Sequence, residues 1–319
     1  MEPTVAQNVG VDISKGFLDV ALYPAGDTAR FPNDDKGFRA LIKWLAPRKV
    51  ARVVFEATGA YHRLFERTLA EAGLPMIKVN PRQARRFAEL IGKLAKTDRC
   101  DAAMLARMGA ALELEPRPIV SETLDQMKEY LTARDALVKD RTAALTRGHM
   151  LRSRMLKAHL AARLRQIDNQ ITAIEKKLKE LRRADPDVQE RYEILVSIPG
   201  VGDVTAYVLI VEMSELGGLD PAQAAALAGV APFADDSGKS SNKRSIRGGR
   251  ARVREALYMA ALSASEHHPE LSVKYDAMLK AGKLKKVALV ALMRKLVILA
   301  NALLRDKRKW TAARPSDTL

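Results

Sequence analysis

Gln7-Asn8-Val9-Gly10-Val11-Asp12-Ile13-Ser14-Lys15-Gly16-Phe17-Leu18-Asp19-Val20-Ala21-Leu22 reads as two short strands, Gln7 to Ile13 and Phe17 to Leu22, joined by the turn Ser14-Lys15-Gly16. Apolar and β-branched residues bounded by turn formers favour that assignment. Asp12 therefore ends the first strand. A third strand follows near Thr28 to Phe31, then a helix from about Asp35 to Leu45 with Phe38, Leu41, Ile42 and Leu45 at helical spacing. Ala51 to Phe55 is too short an apolar run for anything but a buried strand, and it ends in Glu56. A helix from about Tyr61 to Ala72, a strand Met76 to Val79 and a helix opening at Asn80-Pro81 complete the pattern. The order predicts an α/β sandwich with a mixed sheet.

Lys96-Thr97-Asp98-Arg99-Cys100-Asp101 then opens an apolar-periodic helix. Asp98 stands where an N-cap belongs, and Asp101 lies on the same side of the first turn. Taken alone, the pair is open to a capping reading, because helix starts favour Asp. Two carboxylates this close repel, and a hard divalent cation between them relieves the repulsion. Lys96 and Arg99 beside them suit a phosphate-bearing ligand. Asp12 and Glu56, both at strand ends, are expected to converge with Asp98 and Asp101 on one edge, making a cation site.

From about Ser121 to Arg183 the chain is helical and charged, with Gly148 its one glycine. Leu160, Leu164, Ile167, Ile171, Ile174, Leu178 and Leu181 step by 4, 3, 4, 3, 4, 3, the a/d stripe of a coiled coil, which predicts a joint between two protomers. Asp185-Pro186 stops it. A second, mostly helical domain opens with Ser197-Ile198-Pro199-Gly200-Val201-Gly202, a helix-hairpin-helix-like turn in which Pro199, Gly200 and Gly202 frame backbone N–H groups able to hold a phosphate. Lys239, Lys243, Arg244, Arg247, Arg250, Arg252 and Arg254 follow without an acid among them, and Gly238, Gly248 and Gly249 let this backbone approach a ligand closely. The stretch predicts a phosphate-backbone contact, as do Lys15, Arg82, Arg85 and Arg86. Helices Arg254 to Ser265 and Lys286 to Leu304 are expected in the core, with a loose tail after Trp310.

Lys plus Arg is 54 against 38 acids in 319 residues, a net charge of +16 that attracts polyanions, nucleic acid first. No apolar run approaches the roughly 18 to 20 residues of a spanning helix, and the N-terminus lacks a signal-peptide core. The one cysteine, Cys100, excludes an intrachain disulfide and a Cys-rich zinc site. His62, His149, His159, His267 and His268 have no metal spacing. A cytoplasmic, nucleoid-associated bacterial protein is expected.

Gly10-Val11-Asp12-Ile13-Ser14-Lys15, Phe55-Glu56-Ala57-Thr58-Gly59-Ala60-Tyr61, Val79-Asn80-Pro81 and Lys96 to Ala102 resemble the DEDD transposases of an insertion-sequence family of RNA-guided recombinases. Ile198 to Gly202, Asp236-Ser237-Gly238, Arg247 to Arg250 and Ala256-Leu257-Tyr258-Met259 are similar to that family's C-terminal domain. The resemblance implies a ribonuclease-H-like, RuvC-like domain over residues 1–118, with Asp12, Glu56, Asp98 and Asp101 binding Mg²⁺. It implies a coiled-coil connector over 119–186, a transposase domain over 187–312 whose nucleophile is Ser237, and a tail over 313–319. Ser240 and Ser241 lie close enough to compete for that role. It also implies target and donor DNA paired by an element-encoded noncoding RNA, and homodimers assembling to tetramers. Two other readings remain: a Holliday-junction-type nuclease without serine chemistry, and an architectural or RNA-chaperone protein.

Overall fold

The computed structural model describes residues 5–56, 61–92, 98–114, 121–233, 236–237, 240–241 and 245–312, with only the backbone at 98–100, 236–237 and 240–241. The chain divides into two compact units, Met1–Ile119 and Val120–Leu319.

In the first unit β1 (Gln7–Ile13), β2 (Phe17–Tyr23), β3 (Thr28–Pro32), β4 (Val50–Glu56) and β5 (Met76–Val79) form one sheet in the order β3-β2-β1-β4-β5. Tight turns make β1, β2 and β3 antiparallel. Crossovers through α1 (Asp35–Leu45) and α2 (Arg63–Glu71) bring β4 in parallel to β1 and β5 parallel to β4. Asp34 starts α1 by accepting the Gly37 N–H at 2.8 Å, a standard N-cap bond.

Helices cover both faces of this sheet. Val9, Val11, Ile13 and Phe55 meet Phe38, Leu41, Phe65 and Leu69 of α1 and α2 on one side. Val54 and Ile77 meet Ala84 and Phe87 of α3 (Pro81–Leu90) and Met104, Leu105 and Met108 of α4 (Asp98–Ala111) on the other. Burial on two faces explains why β1 is almost continuously apolar rather than alternating. Each fully buried Phe or Leu here contributes about 1.5–3 kcal/mol.

Glycines set how α4 lies. A Cβ on Gly10 would stand 1.9 Å from the Ala102 carbonyl oxygen, and one on Gly109 would stand 2.6 Å from Val54 Cγ2. The start of α4 therefore lies towards the C-terminal ends of β1 and β4, and its end lies towards Asn8. Arg52 holds that end, donating from Nε to the Leu114 carbonyl at 2.6 Å and from Nη1 to Asn8 Oδ1 at 3.2 Å.

The second unit is α5 (Glu122–Gly148), α6 (Arg154–Ala184), α7 (Pro186–Val196), α8 (Asp203–Glu212), α9 (Pro221–Leu227), α10 (Ala251–His267), α11 (Pro269–Lys280) and α12 (Lys285–Arg305). Between α9 and α10 stand β6 (Pro232–Phe233), β7 (Asp236–Ser237), β8 (Ser240–Ser241) and β9 (Ser245–Ile246). Met127 and Leu131 of α5 and Leu178 of α6 are buried in the same core as α8, α10 and α12.

The heptad stripe of α6 packs on α5 of the same chain, as one antiparallel hairpin, where the sequence had pointed to a second protomer. Arg134 to Glu175 at 2.9 Å and Arg141 to Asp168 at 2.7 Å tie the two helices one heptad apart in each direction. Leu124, Met127 and Leu131 give α5 its own apolar face, and the break after Gly148 lets it fold back.

α12 corrects a second expectation. It is long and apolar enough to cross a membrane. Its Leu292, Met293, Leu296, Val297 and Leu303 are nonetheless buried against the rest of the unit, as the expected core helix requires. α11 and the small β-ribbons had no counterpart in the sequence reading, and residues 313–319 lie outside the described residues.

Candidate functional site

The sheet's C-terminal edge carries the carboxylates. Gly10 pairs with Val54 and Val11 with Phe55 across β1 and β4, so Asp12 and Glu56 follow side by side at the ends of these parallel strands. Gly10 and Val54 face α4 and α3, and side chains two residues further on return to the same face. Asp12 and Glu56 thus lie on the α4 side. Asp101 directly precedes Ala102, whose carbonyl abuts Gly10, and α4 begins at Asp98. Asp12, Glu56 and Asp101 are each half-buried. The side chain of Asp98 lies outside the described residues, as do Lys96, the side chain of Arg99 and residues 57–60 of the Glu56 motif.

An all-carboxylate donor set suits a hard divalent cation. Among the described side chains no three His, Cys, Asp or Glu form a metal-holding group.

A further acid on this face escaped the sequence reading. Asp19 stands opposite Asp12 in the β1–β2 register and opposite Arg30 in the β2–β3 register. It is 5% exposed, and Arg30 grips it with two bonds, Nε to Oδ1 at 2.8 Å and Nη2 to Oδ2 at 2.7 Å. Register, the one signal that reveals it, follows from counting both ways from the Ser14-Lys15-Gly16 turn.

Ser237 sits on the last rung of a hairpin: it pairs with Ser240, and Asp236 pairs with Ser241. Below, Pro232 pairs with Ile246 and Phe233 with Ser245. The side chains of Ser237, Ser240 and Ser241, and residues Lys239, Lys243 and Arg244, lie outside the described residues. The ribbon's foot is fixed by glycines. A Cβ on Gly249 (φ 64°) would meet the Gly229 nitrogen at 2.2 Å, so this glycine serves backbone packing where the sequence had offered it to a ligand.

The described basic residues divide by what they hold. Arg250 is taken up by Glu215, with bonds of 2.8 and 2.7 Å, and by the Glu212 carbonyl; its expected phosphate contact gives way to this structural role. Arg252 bridges Asp135 at 2.7 Å and Glu212 at 3.2 Å. Arg247 remains exposed, with its guanidinium 5.4 Å from the Phe233 ring centroid. Lys15, Arg82, Arg85 and Arg86 are exposed, Arg85 in a surface pair with Glu89 at 3.5 Å.

The turn between α7 and α8 is built into the core. Gly200 (φ 96°) leaves no room for a Cβ, with Ala264 nitrogen at 2.7 Å and the Ala260 carbonyl oxygen at 2.8 Å. Pro199 is half-buried, while Gly202 is exposed with open space above it. Beside it Tyr192 donates to Asp203 Oδ1 at 2.8 Å; burial first, then this bond, pushes its phenol up to about 12.

Two family models match in chain order, a transposase model over residues 9–156 and the "Transposase IS116/IS110/IS902 family" over residues 192–276. The pilin gene-inverting protein of Moraxella bovis is 29% identical over 320 residues, covering 95% of this chain and 97% of that protein. Its namesake from Moraxella lacunata is 29% identical over 319 residues, with the same coverage. An uncharacterized 43.6 kDa protein of insertion element IS110 from Streptomyces coelicolor is 31% identical over 160 residues, 49% of this chain and 38% of its own length. With transposase models matching in order along the chain and 29% identity to a pilin gene-inverting protein over nearly its whole length, this DNA-processing enzyme is similar to the transposases of the IS110/IS116 family.

Proposed function

We propose that the chain cuts and rejoins DNA strands, as an insertion-sequence transposase or as an inverting recombinase like its Moraxella relatives, using Asp12, Glu56, Asp98 and Asp101 as a metal-binding tetrad and Ser237 as nucleophile. The observation that carries this reading is the meeting of β1, β4 and the start of α4 at one sheet edge, on one face. The strand order, three antiparallel strands followed by two parallel ones, supports a ribonuclease-H-like assignment. Like charges gathered there repel by several kcal/mol at an effective dielectric of about 20 unless a cation joins them. A bound Mg²⁺ supplies the Lewis acid that draws charge from the scissile phosphate and the leaving oxygen.

Ser237 acts from a hairpin tip. Its Oγ attacks the scissile phosphorus, a phosphoserine ester forms, and the displaced strand end leaves as a hydroxyl. The ester keeps the bond energy that a later strand hydroxyl uses for rejoining, which suits recombination better than hydrolysis does. An element-encoded noncoding RNA chooses donor and target by base pairing. Protomers assemble as dimers and tetramers. Exposed apolar side chains at the tip of the α5–α6 hairpin, Met150 at 84% and Met155 at 62%, support assembly.

The test is a plasmid strand-exchange assay with the chain's own flanking DNA. Asp12→Asn and Asp101→Asn are expected to abolish exchange with the fold intact. Ser237→Ala is expected to abolish it as well. DNA cleavage surviving in Ser237→Ala would favour the nuclease without serine chemistry.

A further inference from the structure

The corner between α11 and α12 has no part in the chemistry above. Ala281-Gly282-Lys283-Leu284-Lys285-Lys286-Val287 is exposed at every residue. Lys280 joins Lys283, Lys285 and Lys286 to put four ammonium groups within seven residues, and the sequence holds no acid from Ala277 to Arg305. None of these four lysines has an ion-pair partner among the described residues. Several basic side chains elsewhere in the unit are instead held by acids: Arg250 by Glu215, Arg252 by Asp135 and Glu212, Arg134 by Glu175, and Lys309 by Glu193 at 2.9 Å. Here the positive charge is left for something outside the chain.

The corner is not purely ionic. Leu284 is 75% exposed and Val287 53%, both among the lysines. An apolar side chain amid cations matches a surface that alternates charge with apolar edges. Duplex DNA offers that alternation, phosphates for the ammonium groups and deoxyribose between them. A bilayer would need the apolar face of α12, and that face is committed to the core.

We propose that Lys280, Lys283, Lys285 and Lys286, with Leu284 between them, grip the backbone of duplex DNA without reading its sequence. The contact anchors DNA to this unit independently of the tetrad and Ser237.

The experiment measures binding of the full-length chain to a labelled duplex of unrelated sequence, by fluorescence anisotropy across a salt series. Lys283→Gln/Lys285→Gln/Lys286→Gln is compared with Lys36→Gln/Lys43→Gln/Lys49→Gln, which removes the same charge from exposed lysines of the first unit. Three lost phosphate contacts make the plot of log affinity against log salt shallower by about 2–3 and weaken binding roughly tenfold or more at moderate salt. The control triple is expected to lose far less. Equal losses in both triples would assign the effect to overall charge and overturn the proposal. An unchanged corner triple overturns it too, as does a loss seen only with an RNA hairpin or with anionic phosphatidylserine vesicles. Because the readout is binding, failure of the serine chemistry leaves this result untouched.

Discussion

Gly10 and Ala102 are in backbone contact: a Cβ at residue 10 would stand 1.9 Å from the Ala102 carbonyl oxygen and 2.4 Å from the Ala106 nitrogen. The central strand and α4 approach this closely because residue 10 has no side chain, and the approach carries Asp101 to the edge that Asp12 occupies. Gly10→Ala is expected to push α4 away and to cost about 3 kcal/mol or more, at the upper end of overpacking effects. Gly109→Ala clashes with the Val54 side chain alone, Asn8 Oδ1 standing at an ordinary 3.7 Å, and its gain in helix propensity of about 1 kcal/mol offsets part of the clash. Urea midpoints check the ranking; equal losses would show that α4 adjusts freely.

Arg250 and Arg247 come from one basic stretch yet are expected to fail differently. Arg250→Ala leaves Glu215 without its two charge-assisted bonds and should cost about 1.5–3 kcal/mol of stability. Arg247→Ala should leave thermal stability within about 0.5 kcal/mol and weaken DNA binding. Melting curves and anisotropy on the same two variants separate the roles.

His268 makes the second unit sensitive to acid. It is 1% exposed, and its Nδ1 accepts from the Glu270 and Leu271 N–H groups at 3.3 and 3.4 Å, capping α11. Burial lowers its pKa below the ordinary 6.5. The unfolded chain therefore binds the proton more readily, so the stability is present above about pH 6.5 and declines as pH falls below it. His268→Asn keeps a capping acceptor without a titrating ring. Its denaturation midpoint should change less between about pH 7 and 5 than that of the parent chain; parallel curves would contradict this role.

Nucleic acid that co-purifies with the chain from cells carrying its flanking DNA should contain one discrete RNA encoded beside the gene, with segments complementary to the element's ends and its insertion site. Sequencing the bound fraction checks this. A heterogeneous mixture would remove the guided part of the proposal.

The first unit was legible because its signals are local. The Ser14-Lys15-Gly16 turn, the Asn80-Pro81 helix start and short apolar runs placed β1 to β5 within a residue or two of their bounds. What pairs with what was less accessible. Asp19 emerges only from the register with Asp12 and Arg30. The fate of Arg250 depends on Glu215, thirty-five residues away in sequence. Gly249 reads as a ligand-binding glycine until Gly229 is found against it. The α6 stripe has a repeat visible in sequence, but a repeat does not say whose helix fills it. Non-local pairing separates these residues from the ones the sequence assigned.

The most direct test of Ser237 as nucleophile is to trap the covalent link. The full-length chain, with Mg²⁺ and DNA bearing its element ends, is quenched in denaturant, digested, and mapped for nucleotide-modified peptides by mass spectrometry. A phosphodiester-linked nucleotide on Ser237, absent in Ser237→Ala and in Asp12→Asn, is the expected result. Strand exchange proceeding with no adduct on Ser237, or with the adduct on Ser240 or Ser241, would contradict the assignment.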